Sequence, residues 1–161
     1  MPEIKNKMML NLILLFSVFV LIAAYFIQYV LKHQPCNLCL IERIPYFLSI
    51  IVISIFLFTR KFEKISLLVL SLIFFSATLI AFYHFGIEQG FIRESLVCDL
   101  NIESNNLSKE ALLNQLKTLP VSCKDVTFKI FGLSLATFNI FFTLILGAIT
   151  MKLFLTYEKN R

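Results

Sequence analysis

Four cysteines, Cys36, Cys39, Cys98 and Cys123, are the residues of this 161-residue chain whose type and spacing can do chemistry. The first two form a C-x-x-C, and the second two stand with 24 residues between them. A disulfide across C-x-x-C closes so small a ring that it removes little entropy from the unfolded chain, which makes it a poor staple. It suits redox work, because one thiol is always placed to resolve a mixed disulfide formed by the other. The wider pair fits a structural staple or a mobile shuttle equally well. Arg43 follows Cys39 by four residues, one helical turn. A guanidinium there favours the thiolate and can hydrogen-bond an oxygen that gathers negative charge. The competing reading makes Arg43 an interfacial side chain paired with Glu42. A zinc site would need four closed ligands. Cys98 and Cys123 lack a second C-x-x-C spacing, and His33 and His84 form no H-x-x-x-H pair, so no metal is expected. Haem attachment needs His directly after the second cysteine, where Leu40 stands.

These cysteines must be positioned by a chain that is 58% hydrophobic and 16% charged, with a mean hydropathy of +0.83. Soluble domains carry about 45–50% apolar and about 25% charged residues, so the composition reads as an integral membrane protein. The net charge of +5 comes from short clusters between apolar runs, not from one stripe, which argues against nucleic acid as a partner. Four runs approach the roughly 20 residues that cross a bilayer: about 9–31, 44–59, 65–85 and 132–155. They lack the alternation of barrel strands, so they are expected to be helices. Pro45 suits the first turn of the second, and Lys152 can snorkel from the fourth. The first run is longer than a signal-peptide core and continues past Ala23-Ala24, which reads as a retained anchor.

Orientation follows from Lys and Arg. The N-terminal tail, the second connector and the C-terminal tail hold eight basic residues against three acids, whereas the loops at about 32–43 and 86–131 hold seven against seven. Both termini are therefore expected in the cytoplasm and both loops outside. All four cysteines fall in those outward loops, where an oxidising compartment lets disulfides persist. Tyr29, Tyr46 and Tyr83 fall near the outer ends of spans, as interfacial aromatics do. In the longer loop, Leu112, Leu113, Leu116 and Leu119 recur at helical spacing between Ser108 and Pro120. This predicts an amphipathic helix on the membrane surface or on the end of the bundle. The sequon at Asn106 is given no meaning in a bacterial membrane protein.

The stretch Gln34-Pro35-Cys36-Asn37-Leu38-Cys39-Leu40-Ile41-Glu42-Arg43 resembles the P-C-x-L-C-x-x-[EQ]-R signature of the bacterial disulfide bond formation protein DsbB family. Tyr83-His84-Phe85-Gly86-Ile87-Glu88-Gln89-Gly90 and Gly132-Leu133-Ser134-Leu135-Ala136-Thr137-Phe138-Asn139 fit the same family. The likeness covers four spans, both cysteine pairs and the order of motifs, while Phe91 and Phe138 stand where members often carry Trp. The resemblance implies a single all-α membrane domain over residues 1–161, a four-helix bundle in a bacterial inner membrane. It implies a protein-dithiol:quinone oxidoreductase that reoxidises a DsbA-like periplasmic thioredoxin-fold partner and passes electrons to ubiquinone or menaquinone. In that route the partner attacks Cys98–Cys123 with Cys98 taking the mixed disulfide. Cys123 then exchanges with Cys36, and Cys39 faces the quinone beside Arg43. His84 stands close to where the family has a quinone-neighbouring histidine. The alternatives are a disulfide-stapled scaffold whose cysteines never turn over and a membrane protein that holds metal with its thiols. A vitamin K epoxide reductase-like enzyme ranks below them, because its C-x-x-C sits late in the chain.

Overall fold

A computed structural model describes residues 2–59, 63–93, 122–124, 129–130 and 132–159. Cys98, Asn106 and the expected helix at 108–119 lie outside the described residues. The chain is an all-helical multi-pass membrane protein with four helices long and apolar enough to cross a bilayer. Helix α1 runs Pro2–Tyr29, the short α2 Asn37–Ile41, α3 Ile44–Thr59, α4 Glu63–Glu88 and α5 Leu135–Lys159. α1 packs on α3, α3 on α4 and α4 most extensively on α5, which returns to α1 and closes the bundle.

Three element ends differ from the pattern of apolar runs, each for a local reason. The second span gains length because α2 and α3 follow one another through the Glu42-Arg43 turn, so Asn37–Thr59 forms one membrane-length unit. The turn holds because the Arg43 carbonyl accepts from the N–H groups of Tyr46 and Phe47 at 3.1 and 3.2 Å. α4 runs one turn past Phe85 and stops at Gly90, whose φ of +77° lets the Phe91 N–H reach back to the Gly86 carbonyl at 2.9 Å. The fourth span begins at Leu135 instead of Gly132. Lys129–Ile130 (β1) and Leu133–Ser134 (β2) pair antiparallel around Gly132 at φ +81°, a small hairpin that the apolar pattern does not announce. Ser134 then caps α5, its Oγ accepting from the Thr137 N–H at 3.3 Å.

The bundle is apolar outside and more polar within, as lipid requires. Leu15, Phe19, Leu72, Leu79 and Phe141 face outward. The centre holds Leu10, Ile13, Ile53, Leu70, Phe74 and Leu146. Small hydroxyls tie the helices across it: Ser49 Oγ donates to Ser17 Oγ at 3.1 Å, and Thr78 Oγ1 to Thr143 Oγ1 at 2.9 Å. Burying hydroxyls costs little here, because each also bonds a carbonyl or another hydroxyl of the bundle. Gly147 lets α5 approach α4, since a Cβ there would stand 3.5–3.6 Å from Phe75 and Phe74. Gly147→Ala is therefore expected to change thermal stability in detergent little. Gly147→Leu must push the helices apart and should cost about 1–3 kcal/mol, read as an earlier melting transition.

Candidate functional site

The described chemistry gathers at one end of the bundle, where the α2–α3 turn meets α4 and α5. Pro35 brings the chain to Cys36 in extended backbone, and Cys36 caps α2, its Sγ accepting from the Cys39 N–H at 3.2 Å. The helical turn sets the two sulfurs 2.7 Å apart. Both are free thiols, whereas Cys123 is disulfide-bonded. Cys36, Leu38, Ile87 and Cys123 form one buried apolar cluster, so the two cysteine-bearing loops meet there. Cys98, the partner expected for Cys123, lies outside the described residues.

Behind Cys36 stands His84, 2% exposed on the last turns of α4. Its Nε2 lies 3.5 Å from Cys36 Sγ, and its Nδ1 donates to Glu42 Oε1 at 2.7 Å. The other Glu42 oxygen accepts from Asn139 Nδ2 of α5 at 2.9 Å, and Tyr46 of α3 donates to Asn139 Oδ1 at 2.5 Å. Thiol, imidazole and carboxyl thus stand in line, the arrangement that lets a histidine take a thiol proton while a carboxyl fixes its orientation. Cys36, Cys39 and His84 bring ligand-capable atoms within 4.8 Å of one another. Three donors fall short of a closed four-ligand zinc site.

Arg43 takes its partners from another helix. Its Nη1 donates to Gln28 Oε1 at 2.6 Å, and its guanidinium stacks 5.0 Å from the centre of the Tyr25 ring, both on α1. The pairing of Arg43 with Glu42, the competing sequence reading, does not form, because Glu42 is engaged by His84 and Asn139 while Arg43 is engaged by Gln28 and Tyr25. Arg43 and Cys39 instead share the wall of a cavity of about 440 Å³. Its sides are mainly apolar, with Phe19, Val20, Ile27, Leu135, Phe138 and Phe142, and its polar end is formed by Glu42, His84, Glu88 and Asn139. A wider groove beside Phe75 and Lys159 lies along the C-terminal half of α5 and holds no cysteine.

The profile of the family described as disulfide bond formation protein DsbB matches residues 6–153. The chain belongs to the DsbB family. Among curated proteins it is similar to the uncharacterized protein RP370 of Rickettsia prowazekii (strain Madrid E), 30% identical over 154 residues that cover 94% of this chain and 89% of the relative. No solved structure matches it.

Against this DsbB-family frame, the structure brings together Cys36, Cys39, Cys123, Arg43 and His84. It corrects one reading and adds three residues. Tyr46 is 2% exposed and hydrogen-bonded inside the bundle, so it is no interfacial belt residue. Glu42, Asn139 and Glu88 belong to the site although their positions were not singled out for chemistry. For Asn139 a signal was available, since a polar group within an apolar span faces the interior and has a use there, whereas Glu42 and Glu88 stand just beyond the ends of the apolar runs.

The Cys39 thiol, with help from His84 and the Cys39 N–H, lowers the Cys36 thiol to about 4 against the opposing pull of burial. Cys36 should therefore be thiolate from about pH 5 upward. An ordinary cysteine, near about 8.5, would gain charge only above neutrality. Because the folded value is depressed, the stabilisation is present above the unfolded value and lost as pH falls through about 4. Thiolate absorbance of the reduced Cys98→Ser/Cys123→Ser double variant should titrate in that acid range. Cys39→Ala should move the transition upward, and His84→Ala should move it in the same direction by less.

Proposed function

We propose that this chain is a protein-dithiol:quinone oxidoreductase of a bacterial inner membrane, with both termini cytoplasmic and its cysteines toward the periplasm. It reoxidises a DsbA-like thioredoxin-fold partner and so sustains disulfide formation in exported proteins. The observation that carries the reading is the position of Cys39, which shares the wall of an apolar cavity with Arg43 while Cys36, three residues away, packs with Cys123.

A membrane quinone fits the cavity by the chemistry of its lining. The aromatic and aliphatic walls suit a flat apolar ring and tail, and Arg43 offers N–H donors for a carbonyl oxygen. When bound, the quinone supplies a two-electron, two-proton oxidant. The chain's own residues do the rest. Cys98 takes the partner's thiolate, which frees Cys123; Cys123 attacks Cys36 in the apolar cluster they share. Cys39 is thereby released at the cavity wall, beside the Arg43 charge that α1 holds in place through Gln28 and Tyr25. The partner's second thiol then resolves its bond to Cys98, and Cys98 re-forms its bond to Cys123, which frees Cys36 as a thiolate. Cys36 closes back on Cys39 as the two electrons of that bond pass to the quinone when one is bound, while His84 holds the proton and Glu42 holds the ring.

Quinol production by the purified protein, driven by a reduced thioredoxin-fold donor, tests the reading. Wild type should turn over, and Cys39→Ala and Cys98→Ala should each abolish turnover. Arg43→Ala should raise the quinone KM by about tenfold, equivalent to about 1.4 kcal/mol. No quinol from wild type with its thiols unreactive would favour a stapled scaffold, and metal that tracks with reduced thiols would favour metal binding.

A further inference from the structure

Glu88 is the buried acid that the thiol route leaves without a task. It lies one turn after His84 on α4, its side chain is 5% exposed, and Oε1 stands 3.7 Å from His84 Nε2. That nitrogen is the same one that faces Cys36 Sγ. Oε2 is buried with no hydrogen-bond partner among the described residues, although the carboxyl interacts with Ser134 and borders the cavity. An ionised carboxylate with a bare oxygen in such a place would forfeit several kcal/mol of hydration, roughly what an unpaired buried charge costs. Among the described residues no lysine or arginine pairs with it, and the one nearby group that can carry positive charge is His84. His84 is already engaged by Glu42 at 2.7 Å and Cys36 at 3.5 Å, and Arg43 is held on α1.

We propose that Glu88 is the proton carrier of the site, holding a proton on its carboxyl and exchanging it between His84 and the cavity. The proposal rests on the quinone reading above and goes beyond it to the proton path. Re-forming the Cys36–Cys39 bond takes two electrons from the sulfurs, and turning a quinone into a quinol takes two protons as well: one from the Cys39 thiol and one that Cys36 leaves on His84. The Cys39 proton leaves directly into the cavity, whose wall Cys39 forms. The Cys36 proton has no such exit, because Cys36 is buried against Ile87 and Cys123. It passes to His84 Nε2. Glu88 gives its own proton to the quinone oxygen as the electrons arrive and is refilled from Nε2, so the carboxyl ends as it began.

Infrared spectra of the reduced, quinone-stripped chain in an ester-free detergent test this without turnover. Wild type at neutral pH should show a carboxylic-acid carbonyl band that shifts in D2O and is missing in Glu88→Gln. That variant keeps the size and polarity of the side chain and cannot carry the proton. Its quinone reduction should fall by at least about tenfold, the low end of what proton transfer contributes. Its exchange with the thioredoxin-fold donor should match wild type, which also shows that it is folded. A band that is absent from wild type or unchanged in Glu88→Gln overturns the proposal, as does full quinone reduction by that variant. If wild type shows the band and reduces no quinone, the oxidoreductase reading falls and takes the carrier with it. If wild type reduces quinone and Glu88→Gln does so equally, the carrier alone falls.

Discussion

Inside a bundle whose outside is lipid, a carboxyl group cannot turn to water for its hydrogen bonds, and Glu42 must find them on its neighbours. It finds His84 on α4 and Asn139 on α5, one for each oxygen. Asn139 in turn is oriented by the Tyr46 hydroxyl of α3. A single buried group thereby fixes the α2–α3 turn against two helices and sets the rotation of each about its axis. Removing any member leaves the others with unpaired polar atoms, which costs more than the bond itself contributed. The geometry of Cys36 depends on this network, since His84 can face the sulfur with Nε2 only while Nδ1 is held by Glu42.

Apolar packing alone would not specify such a site. Helices surrounded by lipid gain little from burying Leu against Leu, and their register comes from close approach and from polar pairs. The Ser17–Ser49 and Thr78–Thr143 contacts and the small Gly147 do this for the body of the bundle. The Glu42 network does it for the end that carries the cysteines. Structural and chemical demands coincide there, so the polar residues that lock the helices together are those that face the thiols.

The C-x-x-C, the four spans and the membrane class were legible in the sequence because each rests on a local pattern: a spacing, a run length, a composition. Arg43 was legible as a companion of Cys39 because one helical turn separates them. What it touches was not, since Gln28 and Tyr25 come from α1 and no spacing announces them. Glu42 next to Arg43 reads as an ion pair in the sequence. In the fold Glu42 is engaged by His84 and Asn139 and Arg43 by Gln28 and Tyr25, partners that tertiary packing supplies. Tyr46 was misplaced for a related reason, because its position along the span was right for an interface and its position around the helix was not. Glu88 was overlooked because the third apolar run stops at Phe85, whereas the helix continues to Glu88 under the cap at Gly90.

The two sulfurs of the C-x-x-C stand in different surroundings. Cys39 and Arg43 share the wall of an apolar cavity, where a guanidinium held by Gln28 and Tyr25 of α1 favours any oxygen that becomes negative. Cys36 faces the His84 imidazole, which Glu42 holds at 2.7 Å and Glu88 approaches at 3.7 Å. The two sulfurs lie 2.7 Å apart, so both surroundings meet at the C-x-x-C. Glu42, Glu88 and Arg43 border the same cavity, yet Glu42 and Arg43 do not pair, because Glu42 is engaged by His84 and Asn139 and Arg43 by Gln28 and Tyr25. The turn that gives these two neighbours separate partners therefore matters to the site as much as the cysteines that flank it.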